Sequence, residues 1–263
     1  MTRPAAPAGP PPLRAGTTWV VDLDGVVWLA GEPIPGVAAA VERLRAAGIR
    51  VLFATNNSAL TVAHLVGRLG RAGIPAGSGD VLSSAEAAAT MVAPGAKVLA
   101  LAEEGVTEAL ARREVQMVDD GPVDAVVVGW TRHFDFDHLT RAARAVLGGA
   151  RLIGTNDDPS HPTPAGLIPG TGALLVSVAT VAGAVPEVAG KPYRPLADLI
   201  TARVGPVALV VGDRASTDGQ LAQRLGSPFA LVLSGVTAPG DPLPDPPPDH
   251  VAGDLGSLVA GGQ

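Results

Sequence analysis

The chain has 263 residues, 19 basic against 25 acidic side chains (formal net charge −6), no Cys, and only four Phe, three Trp and one Tyr. The lack of Cys excludes disulfide scaffolds, thiolate-ligated zinc or iron–sulfur sites and any thiol nucleophile. The acidic balance and scarcity of rings argue against a nucleic-acid partner, and 47% hydrophobic content leaves material for one large domain or two modest ones.

In chain order, residues 1–14 read as a disordered Pro-rich leader, without the continuous apolar stretch of a signal peptide. Trp19-Val20-Val21 is a short apolar strand that ends in Asp22. Val37, Val41 and Leu44 fall at helical spacing, and Gly48 supplies a stop. Arg50 to Ala54 reads as a second strand, followed by Thr55-Asn56-Asn57. Val62, Leu65, Val66 and Leu69 mark the next helix. From about residue 81 the alternation continues with a strand at Lys97 to Leu101, a helix over Val106 to Arg112 and a strand at Ala125 to Val128. A helix over Leu139 to Leu147 and a strand at Arg151 to Gly154 follow. Gly166 to Pro186 carries no charge, but its clean apolar run, Ala173 to Ala182, is too short for a bilayer and predicts a buried core helix. The closing third predicts a helix over Leu196 to Val204, a strand at Val207 to Val211, a helix over Thr217 to Leu225 and a strand at Phe229 to Leu233. Pro239 to Pro248 is loop. Strand–helix alternation implies parallel strands joined by right-handed crossovers, hence an α/β fold. With no signal or membrane segment read, the cytoplasm is the expected compartment.

Ligands of open parallel sheets bind outside the carboxyl ends of the strands. Three such ends here carry polar groups: Asp22-Leu23-Asp24-Gly25, Thr55-Asn56-Asn57 and Gly212-Asp213-Arg214. Gly190-Lys191-Pro192 precedes a helix. Clustered carboxylates repel unless a cation joins them, and hard oxygen donors suit Mg²⁺. Asp22 can attack phosphorus as a covalent nucleophile. Asp24 lies two residues on, hence on the same side of an extended chain, and can protonate the leaving alkoxide and then activate water. Gly25 permits a sharp turn. Lys191 and Thr55 would hold phosphoryl oxygens, with Mg²⁺ between Asp22, Asp213 and phosphate. Each string alone has a plainer reading: a turn, a helix N-cap, a solvated lysine. Together, in this order, they read as metal-assisted phosphoryl chemistry.

These residues resemble the haloacid dehalogenase superfamily of aspartate-nucleophile phosphatases. Asp22-Leu23-Asp24-Gly25-Val26 is similar to its first motif, Thr55-Asn56-Asn57-Ser58 to its second and Gly190-Lys191-Pro192 to its third. Gly212-Asp213-Arg214 with Thr217-Asp218 is similar to its fourth. The wording resembles subfamily IIA, the para-nitrophenylphosphatase, sugar-phosphatase and phosphoglycolate-phosphatase-like branch. The resemblance implies a Rossmann-like core with a parallel sheet, residues 15–80 and 186–263, and an α/β cap, residues 81–185, inserted between the second and third motifs. It implies Asp22 as nucleophile and Asp24 as acid/base. Mg²⁺ would sit on the Asp22 carboxylate, the Asp24 carbonyl and Asp213, with Asp218 in support. Thr55, Asn56 and Lys191 would contact phosphate. The usual Thr-Asn-Pro-Asp cap string is here Thr155-Asn156-Asp157-Asp158, and His161 stands where an aromatic residue is common; Gly219 replaces a β-branched residue.

Asn156, Asp158 and His161 are accordingly the cap candidates for substrate contact. His133 and His138, beside Asp135 and Asp137, have no matching ligand pair and read as solvated helix-start residues. Trp130 reads as cap core or cap interface. The expected function is a Mg²⁺-dependent phosphatase of small phosphorylated metabolites, working through an aspartyl phosphate under a mobile cap. Rivals are a phosphomutase, whose cap generally precedes the second motif, a phospho-receiver module, and a catalytically dead binding protein. Caps of this branch often carry dimer contacts, so a homodimer is an open expectation.

Overall fold

The computed structural model describes residues 9–163, 166–242 and 244–261, so residues 1–8 of the expected leader lie outside the described residues. Gly9 is tied down: its carbonyl lies 2.6 Å from Nδ1 of His250. The contacts divide the chain into two units, one of residues 9–55, 66–82 and 197–261, the other of residues 56–65 and 83–196.

The first unit is built on a six-stranded sheet. Its spatial order is His250–Ala252, Phe229–Val232, Leu209–Gly212, Thr18–Val21, Arg50–Thr55, Val81–Ser83. The four pairings from His250–Ala252 through Arg50–Thr55 are all parallel, with Val21 opposite both Val211 and Phe53. Parallel strands covered on both faces read as unbroken apolar runs. Trp19 to Val21, Val51 to Ala54, Leu209 to Val211 and Phe229 to Val232 are such runs, all buried. Helices Val37–Ala46 and Leu255–Ala260 pack against each other. A small antiparallel hairpin, Trp28–Leu29 with Glu32–Pro33, is the next element after strand Thr18–Val21.

The second unit has its own parallel sheet, in the order Glu187–Val188, Arg151–Gly154, Ala125–Val128, Lys97–Leu101, Gln116–Met117. Leu99, Leu101, Val126, Val128 and Leu152 from its strands meet Ala142, Leu175 and Val178 from helices Phe136–Leu147 and Thr171–Ala182. An antiparallel hairpin, Ser160–Thr163 with Gly166–Pro169, stands outside that sheet.

Several elements depart from expectation. The helix predicted over Ala173 to Ala182 begins at Thr171 and is a surface helix: Leu175 and Val178 are buried, whereas Val176 and Val181 are more than half exposed. The expected core helix is corrected because only one face meets the sheet. The helix predicted over Thr217 to Leu225 is split. Ala215–Gly219 forms a π-helical turn, and the α-helix spans only Gln220–Leu225. Among the described residues no helix is long and apolar enough to cross a membrane.

Candidate active site

In the first unit, acidic groups gather at the carboxyl ends of two adjacent strands. Asp22 follows strand Thr18–Val21, and Asp213 follows strand Leu209–Gly212. Asp218 comes from the π-helical turn, whose wider winding returns its carboxylate to the start of the turn. Its Oδ2 accepts from the Arg214 N–H (3.3 Å) and the Thr217 hydroxyl (3.4 Å). Asp22, Asp213 and Asp218 are all buried, and each brings a carboxylate oxygen within 4.8 Å of the others. Ionised carboxylates at that spacing would repel, and a hard cation is the ligand that such a set of oxygens suits.

Local bonds aim these groups. Asp22 Oδ1 accepts from the Leu23 N–H at 2.7 Å, and Asp213 Oδ2 from the Val236 N–H at 2.6 Å. The Thr237 hydroxyl donates to the Asp213 carbonyl, and the Ser234 hydroxyl to the Gly25 carbonyl, both at 2.7 Å. Ser234-Gly235-Val236-Thr237 therefore clamps the two acidic loops together. Gly25 has φ +83°, and any Cβ there would collide with the Asp213 carboxylate. The sharp turn expected at Gly25 thus also makes room for the acid from the neighbouring strand. Asp24 is half-buried; its Oδ1 accepts from the Trp28 indole at 2.9 Å, and its Oδ2 from the buried Thr55 hydroxyl at 3.4 Å.

The second unit holds the remaining predicted residues, joined by a network centred on Asn56. The Asn56 Oδ1 accepts from the Lys191 N–H at 2.8 Å, and its Nδ2 donates to the Lys191 carbonyl (3.2 Å) and to Asp158 Oδ2 (3.0 Å). The Asn56 carbonyl accepts from the Ser84 hydroxyl and from Asn156 Nδ2, both at 2.8 Å. A side chain at Gly190 would run into Asn56 Oδ1 and the Thr155 carbonyl, which explains the glycine before Lys191. Lys191 is buried, its peptide bracketed by one amide 135 positions away. Ser84 had no place in the sequence reading; as the first residue of a helix with an internal capping box it gave no local sign of its bond to Asn56.

The predicted cap candidates therefore differ in kind. The Asn156 amide is spent on the Asn56 carbonyl and, through Oδ1, on the Asp158 N–H (3.1 Å). Asp158 is half-buried against Asn56, whereas His161 is exposed on the hairpin, its ring centroid 6.2 Å from that of Trp130. Trp130 is half-buried and donates its indole N–H to the Pro169 carbonyl at 3.0 Å. His138 starts a helix as expected, its Nδ1 2.7 Å from Asp135 Oδ1; bonds from the His138 backbone N–H and ring lower the Asp135 pKa.

A parallel sheet in an α/β unit with three converging buried acids, and a second α/β unit inserted in the same chain, define a class: hydrolases that work on phosphoryl groups from acidic strand ends. The comparisons are specific. Residues 19–116 match the family described as haloacid dehalogenase-like hydrolase, and residues 188–258 the one described as HAD-hydrolase-like. The chain is 36% identical over 250 residues to the D-glycerol 3-phosphate phosphatase of Mycobacterium tuberculosis, covering 91% of this chain and 70% of that one. It is 31% identical to the dihydroxyacetone phosphatase of Corynebacterium glutamicum, covering 94% and 92%. Among solved structures it is similar to the p-nitrophenyl phosphatase of Archaeoglobus fulgidus (TM-score 0.86, 31% identity, 94% and 99% covered). It is also similar to the glycerol phosphate phosphatase of M. tuberculosis in complex with magnesium (TM-score 0.85, 35% identity, 92% and 75% covered). The chain belongs to the haloacid dehalogenase-like hydrolases, in subfamily IIA, and is a phosphatase with a Rossmann-like core and an inserted α/β cap.

Proposed function

We propose that the chain hydrolyses small phosphate monoesters with Mg²⁺ as cofactor, through an aspartyl phosphate on Asp22. The observation that carries this reading is the convergence of the buried carboxylates of Asp22, Asp213 and Asp218. Their all-oxygen donor set fits Mg²⁺, with Asp22, Asp213 and the Asp24 carbonyl as its ligands and Asp218 in support. Bound there, the ion would neutralise charge on the transferring phosphoryl group.

The chain's own groups carry the remaining steps. An Asp22 carboxylate oxygen attacks phosphorus, and the ester oxygen leaves with a proton from Asp24. Asp24, now a carboxylate, takes a proton from the water that attacks the acyl phosphate and returns Asp22. The reading assigns phosphoryl oxygens to Thr55, Lys191 and Asn56. The Asn56 side chain already makes three hydrogen bonds, so its contribution falls to the backbone N–H. Asp158 and His161 are the cap groups assigned to the leaving group, and Asn156 holds the loop that presents Asp158. The substrate class favoured by the relatives is a short polyol or sugar phosphate, and the compartment is the cytoplasm. Residues 15–80 and 186–263 are read as core and 81–185 as cap, except that residues 56–65 and 186–196 fall in the second unit.

The test is turnover of para-nitrophenyl phosphate with Mg²⁺, stopped by EDTA. Asp22→Asn is expected to lower kcat by roughly 10⁴-fold or more while the melting temperature holds. Retained turnover in that variant would place the nucleophile elsewhere.

A further inference from the structure

One aromatic residue that the mechanism does not use is bonded directly to a catalytic side chain. Trp28 lies in the hairpin after the Asp22–Gly25 turn and is almost fully buried. Its indole Nε1–H donates to Asp24 Oδ1 at 2.9 Å. The other carboxylate oxygen of Asp24 accepts from Thr55 at 3.4 Å, a longer and weaker bond. Of these two side-chain bonds onto the carboxylate, the indole bond is therefore the tighter. On the ring face lies the Arg68 guanidinium, with its central carbon 4.3 Å from the ring centroid. A cation over an indole fixes the plane of the ring and withdraws electron density from it, which strengthens the N–H as a donor.

We propose that Trp28 is a positioning residue for the acid/base step, and that Arg68 acts through it by holding the indole. The bond takes up Oδ1 of Asp24 and sets the rotation of the carboxyl group. The other oxygen, Oδ2, is thereby presented for exchange of a proton with the ester oxygen. The backbone around Trp28 is closed independently of the ring: the Gly25 N–H donates to the Trp28 carbonyl at 2.7 Å, and the Trp28 N–H to the Leu23 carbonyl at 3.2 Å. Removing the indole N–H therefore leaves the turn tied while releasing the carboxyl group.

The inference rests on Asp24 being the acid/base, and the experiment separates the two. Log kcat/KM is measured against leaving-group pKa for a series from para-nitrophenyl phosphate to alkyl phosphates, in the native protein, Trp28→Phe and Asp24→Asn. A misaligned acid hurts poor leaving groups most. Trp28→Phe is expected to lose about tenfold on alkyl phosphates and less than about twofold on para-nitrophenyl phosphate, with a steeper slope. Arg68→Gln is expected to steepen the slope less. An unchanged slope in Asp24→Asn would overturn the acid/base reading itself. A steeper slope in Asp24→Asn with a native slope in Trp28→Phe would overturn this inference alone. A uniform loss across the series in Trp28→Phe would also overturn it, since that is what general loosening produces. If Trp28→Phe does not fold, the Trp28 indole N–H resonance of the native protein decides. It should move upfield in Asp24→Ala, and a resonance that stays in place overturns the proposal.

Discussion

The two parallel sheets of this molecule use acidic residues in opposite ways. At the strand ends of the first, Asp22 and Asp213 are buried and, with Asp218, point at one another. In the second unit several acids instead serve the local structure. Asp124 accepts from the Lys97 N–H at 2.8 Å, tying neighbouring strands, and Asp135 caps the Phe136–Leu147 helix. Glu187 is paired with Arg151 through two 2.8 Å bonds at the sheet edge. The two sheets thus differ in whether their carboxylates converge on one another or on separate backbone and basic partners.

That contrast can be broken or sharpened by removing one acid at a time. The largest effect is expected from Asp213→Asn. The concentration of Mg²⁺ for half-maximal activity should rise by more than the roughly 10–100-fold typical of supporting groups, with thermal stability kept or improved as repulsion is relieved. A Mg²⁺ requirement equal to that of the native protein would remove Asp213 from the ligand set. Asp158 is the intermediate case, since it lies in the second unit yet is assigned to substrate. Asp158→Ala should lower kcat/KM for polyol phosphates about tenfold relative to para-nitrophenyl phosphate. Equal losses on both substrates would make it another purely structural acid.

The smallest effect is expected from Glu187→Gln. Hydrogen bonding from Arg151, then its charge, lowers the Glu187 pKa, and the bonding and charge of Glu187 in turn raise that of Arg151. A depressed folded-state pKa gives stability that is present above the unfolded value and lost as pH falls through the folded one. Both side chains are about half exposed, so solvent screening limits the pair to about 1 kcal/mol or less. Denaturant melts near neutral pH should show that small difference between native and variant, and melts in acid below the folded pKa should show none. A difference that persists in acid would assign the effect to packing.

How much of this was legible in the sequence depended on range. Strands Lys97–Leu101, Ala125–Val128 and Arg151–Gly154 match the expected bounds because buried parallel strands announce themselves as short apolar runs. The edge strand His250–Ala252 and helix Leu255–Ala260 went unread: three and six residues beyond a Pro-rich loop give too few turns for a period to show. The acidic strand ends were legible because their types and spacing carry the chemistry locally. The Asn56 network was not, because its bonds to Lys191, Asp158 and Asn156 span 100 or more positions. Nor was the π-helical turn, which depends on where the Asp218 side chain lands and not on apolar spacing.

The split of the first unit into three stretches has a consequence for biosynthesis. The second unit is nearly one continuous run, residues 83–196 with 56–65, and its sheet can close while the ribosome is still translating. The first sheet cannot, because its central strand Thr18–Val21 pairs with Leu209–Gly212. Strand Thr18–Val21 must therefore stay unpaired on that side until residues 209–212 have been made. A ribosome stalled before residue 209 would hold a chain with its second sheet closed and the carboxylates of Asp213 and Asp218 still to come, its apolar strand open to chaperones.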